Sequence, residues 1–391
     1  MIGLQRLVML LGLLSGFTLT ACTHLPHQSA PSDDLRQRAQ LGLTENQQPI
    51  IKRYEPTAKD DVFYLSDSAK KDLFEQVNPN WNPMLKYHKL IKVLSNHGDQ
   101  LYRYNNDYTR TAMQTLHDGV GNCLSLTAVF YAYSKALGLN TQLNHVQVPP
   151  NWGSQDGRNT FLMYDHVNAR VKLPMRSPEY VDFSAELFDT QMPMRIVSED
   201  TFRALYFGNR AIEYMLEDKL TTALQIGLYA LSLDPDNPNL WNNNGTVYRR
   251  LGHYDLAETA FHQAIFLQPN HFTAWSNLAY LYQSMGKESK AQEISQVALQ
   301  HRQKNPYYLA WQARQAYQNK QISLAYEKIK HAIQLKPDTH SFHYQLALIY
   351  LHQEQYHKAE SSFISAYQLT DKPALKQRYK QKQHELVQYM K

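Results

Sequence analysis

A period of 34 residues constrains this chain more than any other feature. Pro235, Pro269 and Pro337 are separated by 34 and 68 residues. Around them Ala223, Ala257, Ala291, Ala325 and Ala359 recur at one register, and Ala230, Ala264, Ala298, Ala332 and Ala366 recur seven residues later. Tyr214, Tyr248, Tyr282 and Tyr350 mark a third register, with Ala316 substituting once, and Trp241 and Trp275 take an opening aromatic place. A unit of this length cannot bury its apolar face alone, so neighbouring units must stack. Small alanines let paired helices approach, and the larger residues fill the gaps between units. From Ala204 onward the chain is therefore expected to be an all-α solenoid.

These registers resemble the tetratricopeptide repeat. The resemblance implies five repeats over 204–373, closed at 374–391 by a basic capping helix that carries Lys376, Arg378, Lys380 and Lys382. It further implies a groove that takes an extended peptide or a partner helix. The first helices of the repeats would present Asn239, Asn242, Arg249, Tyr280, Arg314 and Tyr344 to that groove. Any one of these is equally a solvated polar side chain. As a strip they point to a protein or peptide partner.

The other half is organised around 119–139, GVGNCLSLTAVFYAYSKALGL. Leu126, Val129, Phe130, Tyr133, Ala136 and Leu137 fall at steps of three and four, which makes one apolar helix face. Gly138 stands where a helix C-terminal glycine belongs. Cys123 is thereby placed in a first helical turn, where unpaired N–H groups and the helix dipole favour a thiolate. Gly119 and Gly121 before it are expected to allow a substrate close to the sulfur. The alternative is that Cys123 is a small apolar filler.

The chain has two cysteines, and its start accounts for the other. Residues 1–19 hold one charge, Arg6, and an apolar run too short to span a bilayer, as in a secretory signal. The run ends in Leu19, Thr20, Ala21 and Cys22, which resembles the lipobox of bacterial lipoproteins. That resemblance implies cleavage before Cys22, lipidation of its thiol and a place in the bacterial cell envelope. Thr23 in the next position suggests the outer membrane, with the chain facing the periplasm. A plain signal peptide cut near Ala21 is the other reading. After lipidation Cys123 is the only free thiol, so an intrachain disulfide is excluded, and catalysis is the most economical account of an exported unpaired cysteine. Residues 23–59 are polar, with prolines and serines, and read as a flexible tether; the stretch from 23 to 48 alone would reach about 25–30 Å.

Over 60–200 helical patterns give way to alternating ones. Helices are expected from the Ser66 cap through Val77, over 82–95 and over 110–116; strands are expected at 61–65, 141–148, 161–171 and 180–184. A helical half followed by a β half makes an α+β domain. Here Gln114, Thr115 and Leu116 lead to a Gly-x-Gly-Asn-Cys turn opening a helix, followed by His166 in DHVNARV and Asp182 in VDFS. The order resembles the transglutaminase-like superfamily, a papain-like fold with a Cys-His-Asp triad. The separations, 43 residues from Cys123 to His166 and 16 from His166 to Asp182, suit that core. Asn168 departs from it, since a tryptophan often follows the histidine there, and no aromatic precedes the cysteine.

The resemblance implies Cys123 as nucleophile, His166 as general base and acid, and Asp182 as the carboxylate that orients the imidazole. The Cys123 N–H would supply one oxyanion donor, with Gln114 a weak candidate for the second. His145 is the rival base and Asp165 the rival acid, while His117 is expected in solvent. No cysteine pair and no HExxH pattern is present, so neither a metal nor another cofactor is expected. The net charge of +5 is spread out, without a basic patch interleaved with aromatics, and nucleic acid is not expected. The expected chemistry is acyl transfer from an amide through a thioester, with water as the first acceptor. An amine acceptor (a transamidase), a cell-wall peptide amidase and a non-catalytic envelope scaffold with a vestigial triad are the alternatives.

Overall fold

The computed structural model describes residues 30–43, 45–46, 48–95, 103–146, 166–183 and 192–389. Cys22, the signal-like run and Asp165 lie outside them. The first unit holds α1 (Asp33–Leu41), α2 (Asp67–Gln76), α3 (Pro83–Ser95), β1 (Arg103–Tyr104), α4 (Ala112–Asp118), β2 (Val120–Gly121) and α5 (Cys123–Ala136). β3 (Thr141–Val146), β4 (His166–Val171), β5 (Glu179–Val181) and β6 (Met194–Val197) follow, in an antiparallel sheet of order β5-β4-β3-β6. β1 and β2 form a separate parallel pair.

α5 is buried around most of its circumference, so the single apolar face expected from its spacing understates it. Ser125, Thr127 and Ser134 are as buried as its leucines. On one side Leu126, Val129, Phe130 and Tyr133 pack with Leu73, Leu90, Ala169 and Val171. On the other, Cys123, Leu124 and Ala128 join Leu143, Val167 and Phe202. Asn122 caps the helix by accepting from Ser125 N–H at 3.0 Å, and Gly138 takes a left-handed φ of 68° after its last turn. Gly121 is not open to a substrate: an added Cβ would lie 2.7 Å from Ser125 Cβ, so the glycine serves close packing.

Five antiparallel helix pairs and a cap follow. They are α6 (Glu199–Leu216) with α7 (Leu220–Leu233), α8 (Pro238–Arg250) with α9 (Tyr254–Leu267), and α10 (Phe272–Ser284) with α11 (Glu288–Gln303). α12 (Pro306–Gln318) pairs with α13 (Ile322–Leu335), α14 (His340–His352) with α15 (Tyr356–Gln368), and α16 (Pro373–Tyr389) closes the stack. The repeating alanines sit at the closest approaches: Ala223, Ala257, Ala325 and Ala359 are fully buried.

Three expectations need correction. The first is the tether, because Asp33–Leu41 and residues 48–54 are built into the solenoid. α1 has Ser32 as N-cap, acidic Asp33 and Asp34 in its first turn, and Gly42 at its end. It packs against α7 and α9; Tyr248 of α8 donates to the Ala39 carbonyl at 2.7 Å, and Arg38 pairs with Asp255 of α9 at 3.1 Å. Next, residues 61–65 form no strand. The Val62 carbonyl accepts from Ala112 N–H at 2.8 Å, and Phe63 N–H is taken by the Asp61 side chain, so neither enters a ladder. Finally, the boundary near 200–204 is no break in packing. One apolar core runs from Cys123 and Val167 through Phe202 on α6 to Ala298 on α11, and a second repeat core begins only at Leu309.

Phe202 is fully buried where the sheet unit meets the first repeat, with its ring centroid 5.0 Å from that of Phe63. Phe202→Ala is expected to cost about 3–5 kcal/mol in urea denaturation. A cost below about 1 kcal/mol would mean that α6 is not a shared wall.

Candidate functional site

Cys123 opens α5 and is 8% exposed, while His166 opens β4. His166 Nε2 lies 2.8 Å from Asp182 Oδ2, and the two side chains are only 3% and 4% exposed. With Nε2 so engaged, Nδ1 is the ring nitrogen left for the Cys123 thiol, which also hydrogen-bonds this imidazole. Burial works against the charged ring. The hydrogen bonds and negative charges of Asp182 and Cys123 outweigh it and raise the His166 pKa from 6.5 to about 9. At neutral pH the imidazole is therefore charged.

Strand register explains which residues meet. His166 is paired with Val146 and Asn168 with Asn144, so these four share one face of the sheet. One residue past the Val181–Ala169 pair, Asp182 comes level with Asn168. There Asn168 donates to Asp182 Oδ2 at 3.1 Å, and Asn144 donates to Asn168 Oδ1 at 3.1 Å. Two buried amides thus hold the carboxylate that holds the imidazole. Val167, Ala169 and Val171 point the other way, into the apolar cores. His145 lies opposite Val167, on the wrong face to replace His166. His117 is exposed and sits beside Asp118 at 2.9 Å.

The start of α5 is held with similar care. Asn122 donates to Thr109 Oγ1 at 2.8 Å, and Ser125 Oγ accepts from Arg110 N–H at 2.7 Å. Thr109 N–H donates at 2.7 Å to Glu213 of α6, which also pairs with Arg210. Gln114 is committed elsewhere: its side chain accepts from Thr111 N–H at 3.0 Å in the capping box of α4.

The repeat residues expected to line a groove divide. Asn242 is fully buried and accepts from Asn277 at 2.9 Å, so it joins α8 to α10 and is not a groove residue. Asn239 faces His271 Nε2 at 2.8 Å. The Arg249 guanidinium lies 4.5 Å above the Tyr280 ring. Tyr344 stacks on Tyr379 of the capping helix, with centroids 5.1 Å apart, and Arg314 is exposed.

Sequence reasoning missed Asn144, Thr109 and Glu213, and noted Asn168 only as a departure from the family pattern, not as the partner of Asp182. Asparagine is depleted in strands, so two of them in alternating apolar runs were a usable signal. Glu213 gave none, because its partner lies 104 residues away.

A raised histidine pKa contributes stability that is complete below about pH 6.5 and is lost as the pH rises through about 9. The stability difference between the natural chain and His166→Gln, from chemical denaturation, is expected to close across that window. A difference constant with pH would show that the ring is not charged in the fold. Asn168→Leu leaves both Asp182 and Asn144 short of a partner and is expected to cost about 1–3 kcal/mol in the same assay. Unchanged stability would mean that the amide row carries no load.

The matching family models lie within the repeats. Residues 238–271 match the family described as Tetratricopeptide repeat, and 284–366 match Anaphase-promoting complex, cyclosome, subunit 3. The tetratricopeptide repeat-containing protein trd-1 of Caenorhabditis elegans is 29% identical over 92 residues, a match covering 24% of this chain and only 12% of that protein. Solved structures with detectable likeness include MamA from Desulfovibrio magneticus RS-1, at 17% identity over 43% of this chain and 94% of that one, with a TM-score of 0.25. YrrB, titled a TPR protein with an unusual peptide-binding site, is 17% identical over 46% of this chain and 92% of its own, with a TM-score of 0.24. A thermophilic TPR protein of Thermus thermophilus, TTC0263, is 16% identical over 46% of this chain and 97% of its own, with a TM-score of 0.25. The helix pairs of the C-terminal region are tetratricopeptide repeats, an architecture suited to contact with other proteins.

Proposed function

We propose that this chain is a lipid-anchored envelope protein whose repeats recruit a protein partner and whose Cys123, His166 and Asp182 carry out acyl transfer on a transglutaminase-like core. One observation carries the catalytic part of this reading. A single buried imidazole is hydrogen-bonded to Asp182 at one nitrogen and to the Cys123 thiol as well.

The chemistry follows from these positions. The Cys123 thiolate attacks the acyl carbon of an amide, and the Cys123 N–H at the head of α5 faces the developing oxyanion. The C–N bond breaks as the His166 imidazolium gives its proton to the leaving amine. Neutral His166 then takes a proton from water, the hydroxide attacks the thioester carbon, and the thiolate leaves beside a recharged imidazolium. Asp182 keeps the ring in the orientation and tautomer both steps need. Hydrolysis needs no second substrate, which favours it over transamidation.

A lipid on Cys22 would leave ten residues before α1, a span of at most about 35–40 Å. Anchoring would therefore hold the α7–α9 side of the solenoid near the bilayer surface.

The low exposure of Cys123 favours a second reading, a partner-binding scaffold with an inert thiol. Iodoacetamide labelling separates the two. In the form lacking 1–22, Cys123 is expected to label at neutral pH, and His166→Ala to slow labelling at least about tenfold. A thiol that labels slowly and ignores His166 would leave the scaffold reading standing.

A further inference from the structure

At the opposite end of α5 from Cys123 the chain folds around a pocket of about 480 Å³. Ala132 and Ala136 line it, nine and thirteen residues beyond the thiol, or about 14 and 20 Å along the helix. The other walls are Lys70 of α2, Glu199 and Arg203 of α6, and the stretch from Ala58 to Leu65. Three separate stretches of chain thus converge on one space, which exists because alanines stand at 58, 132 and 136, where longer side chains would fill it. Its volume falls in the range of about 300–1,000 Å³ usual for small-molecule sites.

The floor is apolar, made by Phe63, Leu65, Ala132 and Ala136, and the rim is charged. Both carboxylates of the rim are engaged through both oxygens. Asp61 accepts from Phe63 N–H at 2.8 Å through one and from Arg203 Nε at 3.0 Å through the other. Glu199 accepts from Tyr131 at 2.9 Å and from Lys135 through Oε1, and from Arg203 at 3.1 Å through Oε2. The cations keep donors over. Lys135 gives one of its three N–H groups to Glu199, and Lys70 reaches only Asp67, at 3.5 Å. Asp67 is fully exposed, and a pair so wet holds its lysine weakly. Lys70, Lys135 and Arg203 against Asp61 and Glu199 leave the lining with one positive charge in excess. The charged groups of the rim therefore have donors to offer and no carboxylate oxygen without a partner.

We propose that this pocket binds a small carboxylate carried on an apolar body, the anion met by Lys70 and Lys135 and the body laid over Phe63, Leu65 and Ala136. A carboxylate supplies the acceptors that the lysine donors lack, through charge-assisted hydrogen bonds. The apolar floor favours an anion that brings hydrocarbon with it over a small hydrated one. The site stands apart from the thiol and does not depend on whether Cys123 reacts. Its walls belong both to the sheet unit and to the first repeat helix. A ligand seated there ties α2, α5 and α6 together beside the packing of Phe63 on Phe202.

Isothermal titration calorimetry with the full-length chain tests this. The probes are naphthoate, naphthalenemethanol and naphthylmethylammonium, which share one apolar body and differ in charge. Naphthoate is expected to bind at least about tenfold more tightly than the other two, the contribution of one hydrogen bond to a charged group. It is also expected to raise the melting temperature of the chain. Lys70→Glu, at a half-exposed position, is expected to weaken naphthoate at least about tenfold and to turn the preference toward the ammonium. Ala136→Trp fills the pocket and is expected to abolish binding, with an unchanged circular dichroism spectrum showing the fold intact. Equal binding of the alcohol, or tighter binding of the ammonium, by the natural chain would overturn the carboxylate assignment. Naphthoate that ignores both substitutions binds somewhere else, and the proposal falls. Binding of none of the three at millimolar concentration would end it as well.

Discussion

Glu213 is a buried carboxylate on the first repeat helix, and burial pushes its pKa upward even though Thr109 N–H and the Arg210 guanidinium hold it. Through Thr109 it reaches Asn122, through Asn122 the cap of α5, and so the turn that carries Cys123. A carboxylate desolvated in this way is tolerated only when its partners are fixed. The loop before α4 therefore cannot move without unseating α6. Repeat arrays are usually sums of near-neighbour contacts in which end units can be exchanged. Here the first unit is locked into the neighbouring sheet, and the shared core around Phe202 does by packing what Glu213 does by polarity.

The sheet solves a different problem with the same economy. Alternation sends Val167, Ala169 and Val171 into the apolar cores and sends His166 and Asn168 to the opposite face. A polar row buried on a sheet is costly unless each amide and carboxylate finds its partner. Asn144, Asn168, Asp182 and His166 satisfy one another in sequence across three strands. The row depends on register: a one-residue slip of β4 would turn His166 and Asn168 to the other face, away from Asn144 and Asp182.

Elements whose signal repeats along the chain were legible in the amino-acid sequence. The alanine and tyrosine registers located all five helix pairs, since each register is a contact made again every 34 residues. Ser66 and Gly138 announced helix ends through local hydrogen-bonding and dihedral preferences. The resemblance to the transglutaminase-like core, which the separations of Cys123, His166 and Asp182 suit, pointed to three residues that lie together in the fold. What escaped notice depends on distant partners. α1 looked like polar linker because its buried atoms are few and its partners, Tyr248 and Asp255, stand more than 200 residues away. Residues 61–65 had strand composition, but their backbone groups were claimed by α4 and by a side chain. Asn242 looked like a solvent-facing amide until its bond to the next repeat buried it.

The apolar core that begins beside Cys123 ends with α11, and a fresh one starts in α12. Cooperativity follows shared burial, so this seam divides the chain into two melting units. The inner unit, running from the sheet to α11, keeps its own interior when the outer unit from α12 to the cap loosens. A ligand seated on the outer unit alone would therefore raise that unit's stability by mass action and leave the inner one where it was.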